Sequence, residues 1–168
     1  MQLQSLDDVL VDQLGDLLDA EKQLVQALPK MASAASDEKL QKAFKEHLSE
    51  TRDHVSRIEE IFGQLGKQPP SETCKAMQGL VAEGEEIISA QGDPAAKDAA
   101  LIAAAQRVEH YEIAGYGTAK TLADQLGHSD AKDLLDQTLD EESQADTLLT
   151  KIATGGRMKS GVNQAAKR

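Results

Sequence analysis

The chain has 168 residues, a mass of 18.0 kDa and a formal charge of −11 from 18 Lys+Arg against 29 Asp+Glu, the size of one acidic domain and the wrong sign for a phosphate-backbone binder. Its aromatic residues are only Phe44, Phe62, Tyr111 and Tyr116, which excludes a stacking platform for bases or sugars. One cysteine, Cys74, excludes a disulfide framework, a four-cysteine zinc site and a rubredoxin-type iron site.

Twenty-four alanines and four prolines favour helices over a sandwich or barrel. Ser5 with Asp8 three positions later marks a helix start. The first long helix then runs from Leu6 towards Ala35, with Pro29 expected to kink it or end it early. Ser36-Asp37 caps a second helix that reaches Leu65, and Gly66 suits its left-handed end. Pro69-Pro70 makes a turn, and residues 72–90 read as a shorter, irregular connecting helix. Gly92-Asp93-Pro94 stops that segment and starts a third long helix to Leu126. Gly127 closes it, Ser129-Asp130 opens a fourth, and Gly155-Gly156 ends the fourth. Residues 1–156 therefore form a helical bundle with one long crossover, and the basic stretch 157–168 is expected to be a flexible tail. The opening residues lack a basic, apolar leader and no run reaches the ~18 apolar residues of a membrane span, so a soluble cytoplasmic protein is expected, without membrane or nucleic-acid partners. A shift of 91 places Glu21 on Glu112, Phe44 on Leu135, Leu48 on Leu139 and Glu50 on Glu141, which suggests two similar helical hairpins.

Core faces of bundle helices show as apolar residues at alternating steps of three and four. Acids interrupt these seams. The first helix reads Leu14, Leu18, Glu21, Val25, Leu28, and the third reads Ile102, Ala105, Glu109, Glu112, Tyr116, Ala119. The fourth reads Leu135, Leu139, Glu142, Asp146, Leu149. The second reads Phe44, Leu48, Thr51, Val55, Ile58, Phe62, with His47, Glu50 and His54 on one flank. One buried carboxylate can be protonated or paired, but several converging ones repel, and Arg52, Arg57 and Arg107 fall on other faces. A pair of cations supplies the missing charge, and bundle cores that hold two metals use this inventory of Glu and His.

Several runs then resemble the YciE/YciF branch of the ferritin-like superfamily, over the whole chain apart from the tail. They are Asp19–Leu24, His47–Thr51, Cys74–Leu80, the long run Asp98–Ala114, and Thr138–Glu142. The resemblance implies an all-α ferritin-like four-helix bundle, commonly a dimer, with a di-iron or related site and a stress-associated role. The wider superfamily places His three residues after Glu. Here Asp53 follows Glu50 at three and His54 at four, while Ala145 and Asp146 hold those places after Glu142. Position four shares the helix face, so His54 and Asp146 could substitute, and His47 could approach from the preceding turn.

The expected metal ligands are thus Glu21, Glu50, His54, Glu109, Glu112, Glu142 and Asp146, around two ions; the mostly oxygen donors favour iron or manganese over zinc or copper, and the resemblance implies iron first. His47 and His110 read as supporting residues, Tyr116 as core packing, and Cys74 as a small buried hydrophobe. Three functions compete: a di-metal oxidoreductase acting on peroxide, oxygen or Fe(II); a structural protein whose metal stabilises an acidic core; and a cage-forming iron store. A homodimer is expected, with Ile87, Ile88 and Leu101 available on side faces to pair with a second copy.

Overall fold

A computed structural model describes residues 3–156 and 159–167. Four long helices carry the fold: α1 (Leu6–Ala34), α2 (Glu38–Leu65), α4 (Pro94–Gln125) and α5 (Ser129–Thr154), with α3 (Lys75–Ser89) in the crossover. Their ends follow the chemistry of the chain. Ser5 Oγ accepts from the Asp8 amide at 3.2 Å, Asp37 caps α2 through the amides of Lys39 and Leu40, and Asp93 accepts from Ala96 at 3.0 Å. Gly66 takes φ +63° to close α2, a conformation that costs glycine little. Pro29 does not end α1, because Leu28, Met31 and Ala32 around it are buried and hold the last turn in place.

Helices α1 and α2 form one antiparallel hairpin and α4 and α5 the other, packed as a square with α1 beside α4 and α2 beside α5. The crossover helix α3 lies across α1 and α4, and is regular rather than broken by its glycines. Cys74 is buried as expected, and its sulfur also caps α3 by accepting from the Met77 amide at 3.4 Å. Buried Asp98 of α4 ties the α1–α2 turn down, accepting from the amides of Ser36 and Asp37 at 2.8 Å each. Leu101, expected on an outer face, is fully buried within the chain, and Ile87 and Ile88 pack against the same core.

The tail differs from expectation. Gly155–Gly156 pairs with Lys159–Ser160 in a short antiparallel ladder, and Val162–Ala165 forms a helical turn, α6, against α4 and α5. Val162 is buried in the core, and a side chain at Gly161 would collide with the backbone of residues 153–155, so glycine there lets the chain fold back. Arg157, Met158 and Arg168, also assigned to a flexible tail, lie outside the described residues. No described helix is long and apolar enough to cross a membrane.

The core falls into two apolar clusters. One joins the α1 N-terminal half to the α2 C-terminal half through Leu10, Leu14, Ile58 and Phe62. The other joins the opposite ends through Leu24, Leu28, Phe44, Leu101 and Ile102. Between them lies a layer of buried polar residues.

Candidate metal centre

That layer draws on all four long helices. Glu21 comes from α1, His47 and His54 from α2, Glu109 and Glu112 from α4, and Glu142 from α5, all buried. They form two groups that share Glu142: His47, Glu109, Glu112 and Glu142, and Glu21, His54 and Glu142, each with one ligand atom per residue within 4.8 Å of the others. His54 Nδ1 lies 2.9 Å from Glu142 Oε1 and 3.3 Å from Glu21 Oε1. His47 Nε2 lies 3.5 Å from Glu109 Oε1 and 3.7 Å from Glu142 Oε2. The two oxygens of Glu142 thus face opposite groups, one to each histidine.

Among the described residues, the buried side-chain atoms without a hydrogen-bond partner are Glu21 Oε2, His47 Nε2, His54 Nδ1, Glu109 Oε2 and both oxygens of Glu112 and Glu142. All eight belong to this layer. Even the 2.9 Å approach of His54 Nδ1 to Glu142 lacks hydrogen-bond alignment. Each unpaired buried group costs about 1–3 kcal/mol, more when charged, so a cluster of eight has no reason to persist as packing alone. Ligand atoms held about 2.1 Å from a common ion stand roughly 3–3.5 Å apart, and the histidine–carboxylate approaches here run from 2.9 to 3.7 Å.

Without cations the layer compensates with protons. Burial raises the pKa of Glu21, Glu109 and Glu112, and neighbouring carboxylates add to it. Burial opposes charge on His47 and His54, but the acids around them prevail and lift both to about 10. Burial also opposes charge on Glu142, whose histidine neighbours nonetheless hold it below the usual carboxylate range.

The outward ring nitrogens are anchored differently. His54 Nε2 donates to Glu141 Oε2 at 2.9 Å, and a carboxylate can only accept, so the inward Nδ1 is the atom left for a ligand bond. Arg57 grips Glu141 with two bonds of 2.5 and 3.0 Å, and Gln137 adds a third at 3.1 Å. Glu141 is held at a pKa of about 2, against its own partial burial, by Arg57, Gln137 and His54. His47 Nδ1 faces Glu50 Oε2 at 3.3 Å, with Glu50 half exposed. The Tyr116 hydroxyl donates to Glu21 Oε1, fixing that carboxylate and leaving Oε2 free.

Of the residues expected from sequence, Glu21, His54, Glu109, Glu112 and Glu142 come together. Glu50 and Asp146 stand outside both groups. Glu50 supports His47 from behind, and Asp146 accepts from Gln106 Nε2 at 2.9 Å with His110 Nε2 at 3.5 Å. His47, read as a supporting residue, is in the group. Arg57, read as facing elsewhere, reaches the layer through Glu141. The signal for His47 was available: Phe44, His47, Thr51, His54, Ile58 and Ile61 repeat at alternating steps of three and four, and all six are buried.

Comparison with known proteins places this geometry in context. The family described as a domain of unknown function, DUF892, matches residues 5–167. Protein YciF of Escherichia coli (strain K12) is 45% identical over 166 residues, 98% of this chain and 100% of the relative. The crystal structure of the E. coli stress protein YciF superposes with a TM-score of 0.89 at 43% identity, covering 98% of this chain and 99% of that one. YcfI from Rhodopseudomonas palustris, to which a structural role is attached provisionally, gives 0.87 at 39% identity, over 90% and 97%. A protein of Xanthomonas campestris pv. campestris shares the fold, with a TM-score of 0.70 at 19% identity over 88% and 89%.

Proposed function

Because the chain belongs to the DUF892 family, that of Protein YciF, we propose that its buried polar layer is a two-cation redox centre occupied by iron, or by manganese. The observation that carries this reading is that the eight unpaired buried side-chain atoms among the described residues all gather in one layer that joins four helices. Charge supports it. Ionised, Glu21, Glu109, Glu112 and Glu142 would carry four negative charges, which two divalent ions would neutralise in place of protons. The donor set, four carboxylates and two imidazoles, suits iron or manganese. Two such ions supply two-electron exchange with peroxide or oxygen, or oxidation of Fe(II).

The chain's own residues set the terms. Glu142 is placed to serve both ions, Glu21 and His54 to hold one, and His47, Glu109 and Glu112 the other. Tyr116 orients Glu21. The apolar clusters above and below close the two ends of the layer to water. A role in the stress response agrees with the description of the E. coli relative. We place the protein in the cytoplasm as a homodimer, to be tested by its mass in solution.

The test is metal content per chain, read with consumption of peroxide and Fe(II), for the wild type, Glu112→Gln and the surface control Glu60→Gln. Two equivalents and turnover in the wild type and control, with at least one equivalent lost in Glu112→Gln, support the reading. A purely structural centre is the second reading, favoured by the R. palustris description. It predicts two equivalents and no turnover.

A further inference from the structure

A cavity of about 720 Å³ opens between α2 and α5, and His47 and Glu109 lie among the residues that line it. Both are buried, and each presents an unpaired atom, Nε2 and Oε2. Glu46, Glu50 and Glu141 also line the cavity, against one lysine, Lys151, so it attracts cations. His54 is fully buried and does not line it.

The suggested repeat sets the residues of this cavity against those of the other hairpin. The shift of 91 that pairs Glu50 with Glu141 also pairs His54 with Ala145 and Arg57 with Leu148. One hairpin thus offers an imidazole and a guanidinium where the other offers a methyl group and an exposed leucine, and both Ala145 and Leu148 line the cavity. Glu141 is locked by Arg57, whereas Leu148 leaves Glu50 without an equivalent clamp. The two histidines therefore have carboxylate supports of the same kind but unequal rigidity.

Resting on the two-cation reading, we propose that the two positions are unequal: the His54 position retains its ion, while the His47 position exchanges a divalent cation with solvent through the α2–α5 cavity, with Glu50 as the positioning residue that tunes exchange. Glu50 holds the His47 ring with Nε2 inward, and its freedom to swing out lets the ring release its ion. A rigidly paired carboxylate such as Glu141 allows no such movement.

Release of Mn(II) to excess chelator, measured as metal per chain against time, tests this. The wild type should lose one ion at least about tenfold faster than the other. Glu50→Gln should speed the fast phase by about tenfold and leave the slow phase alone, and Arg57→Leu should speed only the slow phase. Leu148→Arg, an exposed change that does not disturb the core, should supply the missing clamp and slow the fast phase. Two ions leaving at one rate, or Glu50→Gln and Arg57→Leu accelerating the same ion, overturns the inference and leaves the two-cation reading standing. So does Leu148→Arg without effect on the fast phase. A wild type that binds fewer than two Mn(II) per chain overturns both.

Discussion

The ends of the bundle and its middle are built from the same four helices with opposite chemistry. At one end Leu10, Leu14, Ile58 and Phe62 close together, and at the other Leu24, Phe44, Leu101 and Ile102 do the same, each burying apolar surface at a gain of about 25 cal/mol per Å². In the middle Glu21, His47, His54, Glu109, Glu112 and Glu142 are as deeply buried, but their desolvation opposes folding. The contrast separates two roles. The ends hold the helices in place, and that rigidity lets the middle keep acids where packing alone would reject them.

The largest expected effect comes from the apolar end. Leu14→Ala should destabilise the cation-free protein by about 2–5 kcal/mol through the cavity it leaves, with the number of ions bound per folded chain unchanged. Denaturant melts with metal analysis check it, and a loss of ions at constant fold would break the division between ends and middle.

The middle should instead answer to pH. His47 and His54 bind protons more tightly in the fold, near 10 against an ordinary 6.5, so their stabilisation is complete below 6.5 and lost as pH rises through 10. Glu21, Glu109 and Glu112 are raised too, and act with the same sign from their ordinary 4.5 upward. Glu141 and Glu142 are lowered and act the other way, losing their contribution as pH falls below 4.5. The cation-free protein should therefore melt lower at pH 9.5 than at pH 6.5, by on the order of 5 °C, and bound cations should flatten the difference. Equal melting temperatures in the cation-free protein would contradict the assignment of the layer as proton-compensated.

A smaller shift bears on the same layer. Glu112→Gln replaces, at nearly constant volume, a carboxyl that must take up a proton to be buried without a cation, so the cation-free protein should gain about 2–4 °C while the loaded protein, deprived of an anionic ligand, loses stability with its ion. If both forms shift alike, Glu112 acts through packing. Smallest of all, Ser5→Ala removes an exposed cap remote from both regions and should cost about 0.5 kcal/mol with cation binding intact.

The fold was largely legible because the punctuation was strong: Ser5, Asp37, Gly66 and the Asp93-Pro94 pair all act where the sequence implied. The acids of α4 were legible too, since Ile102, Ala105, Glu109, Glu112 and Tyr116 keep bundle spacing along an alanine-rich helix. In α2 the preference for apolar residues moved the seam by one position, to Leu48 and Val55, which only border the core beside His47 and His54. Asp146 has seam spacing but turns to Gln106, and no helical period distinguishes these outcomes. Glu141 and Arg57 meet across 84 positions of chain, a contact set by α2 packing against α5 and not by any local pattern. The docking of the tail turns on Val162 and the space left at Gly161, too little apolar sequence to register.

Crystals grown with Mn(II) and measured at the manganese absorption edge decide whether the layer holds two cations. Two anomalous peaks inside the bundle, one on each side of the Glu142 carboxylate and next to His47 and His54, are the predicted result. An empty layer with manganese only on surface carboxylates would contradict it.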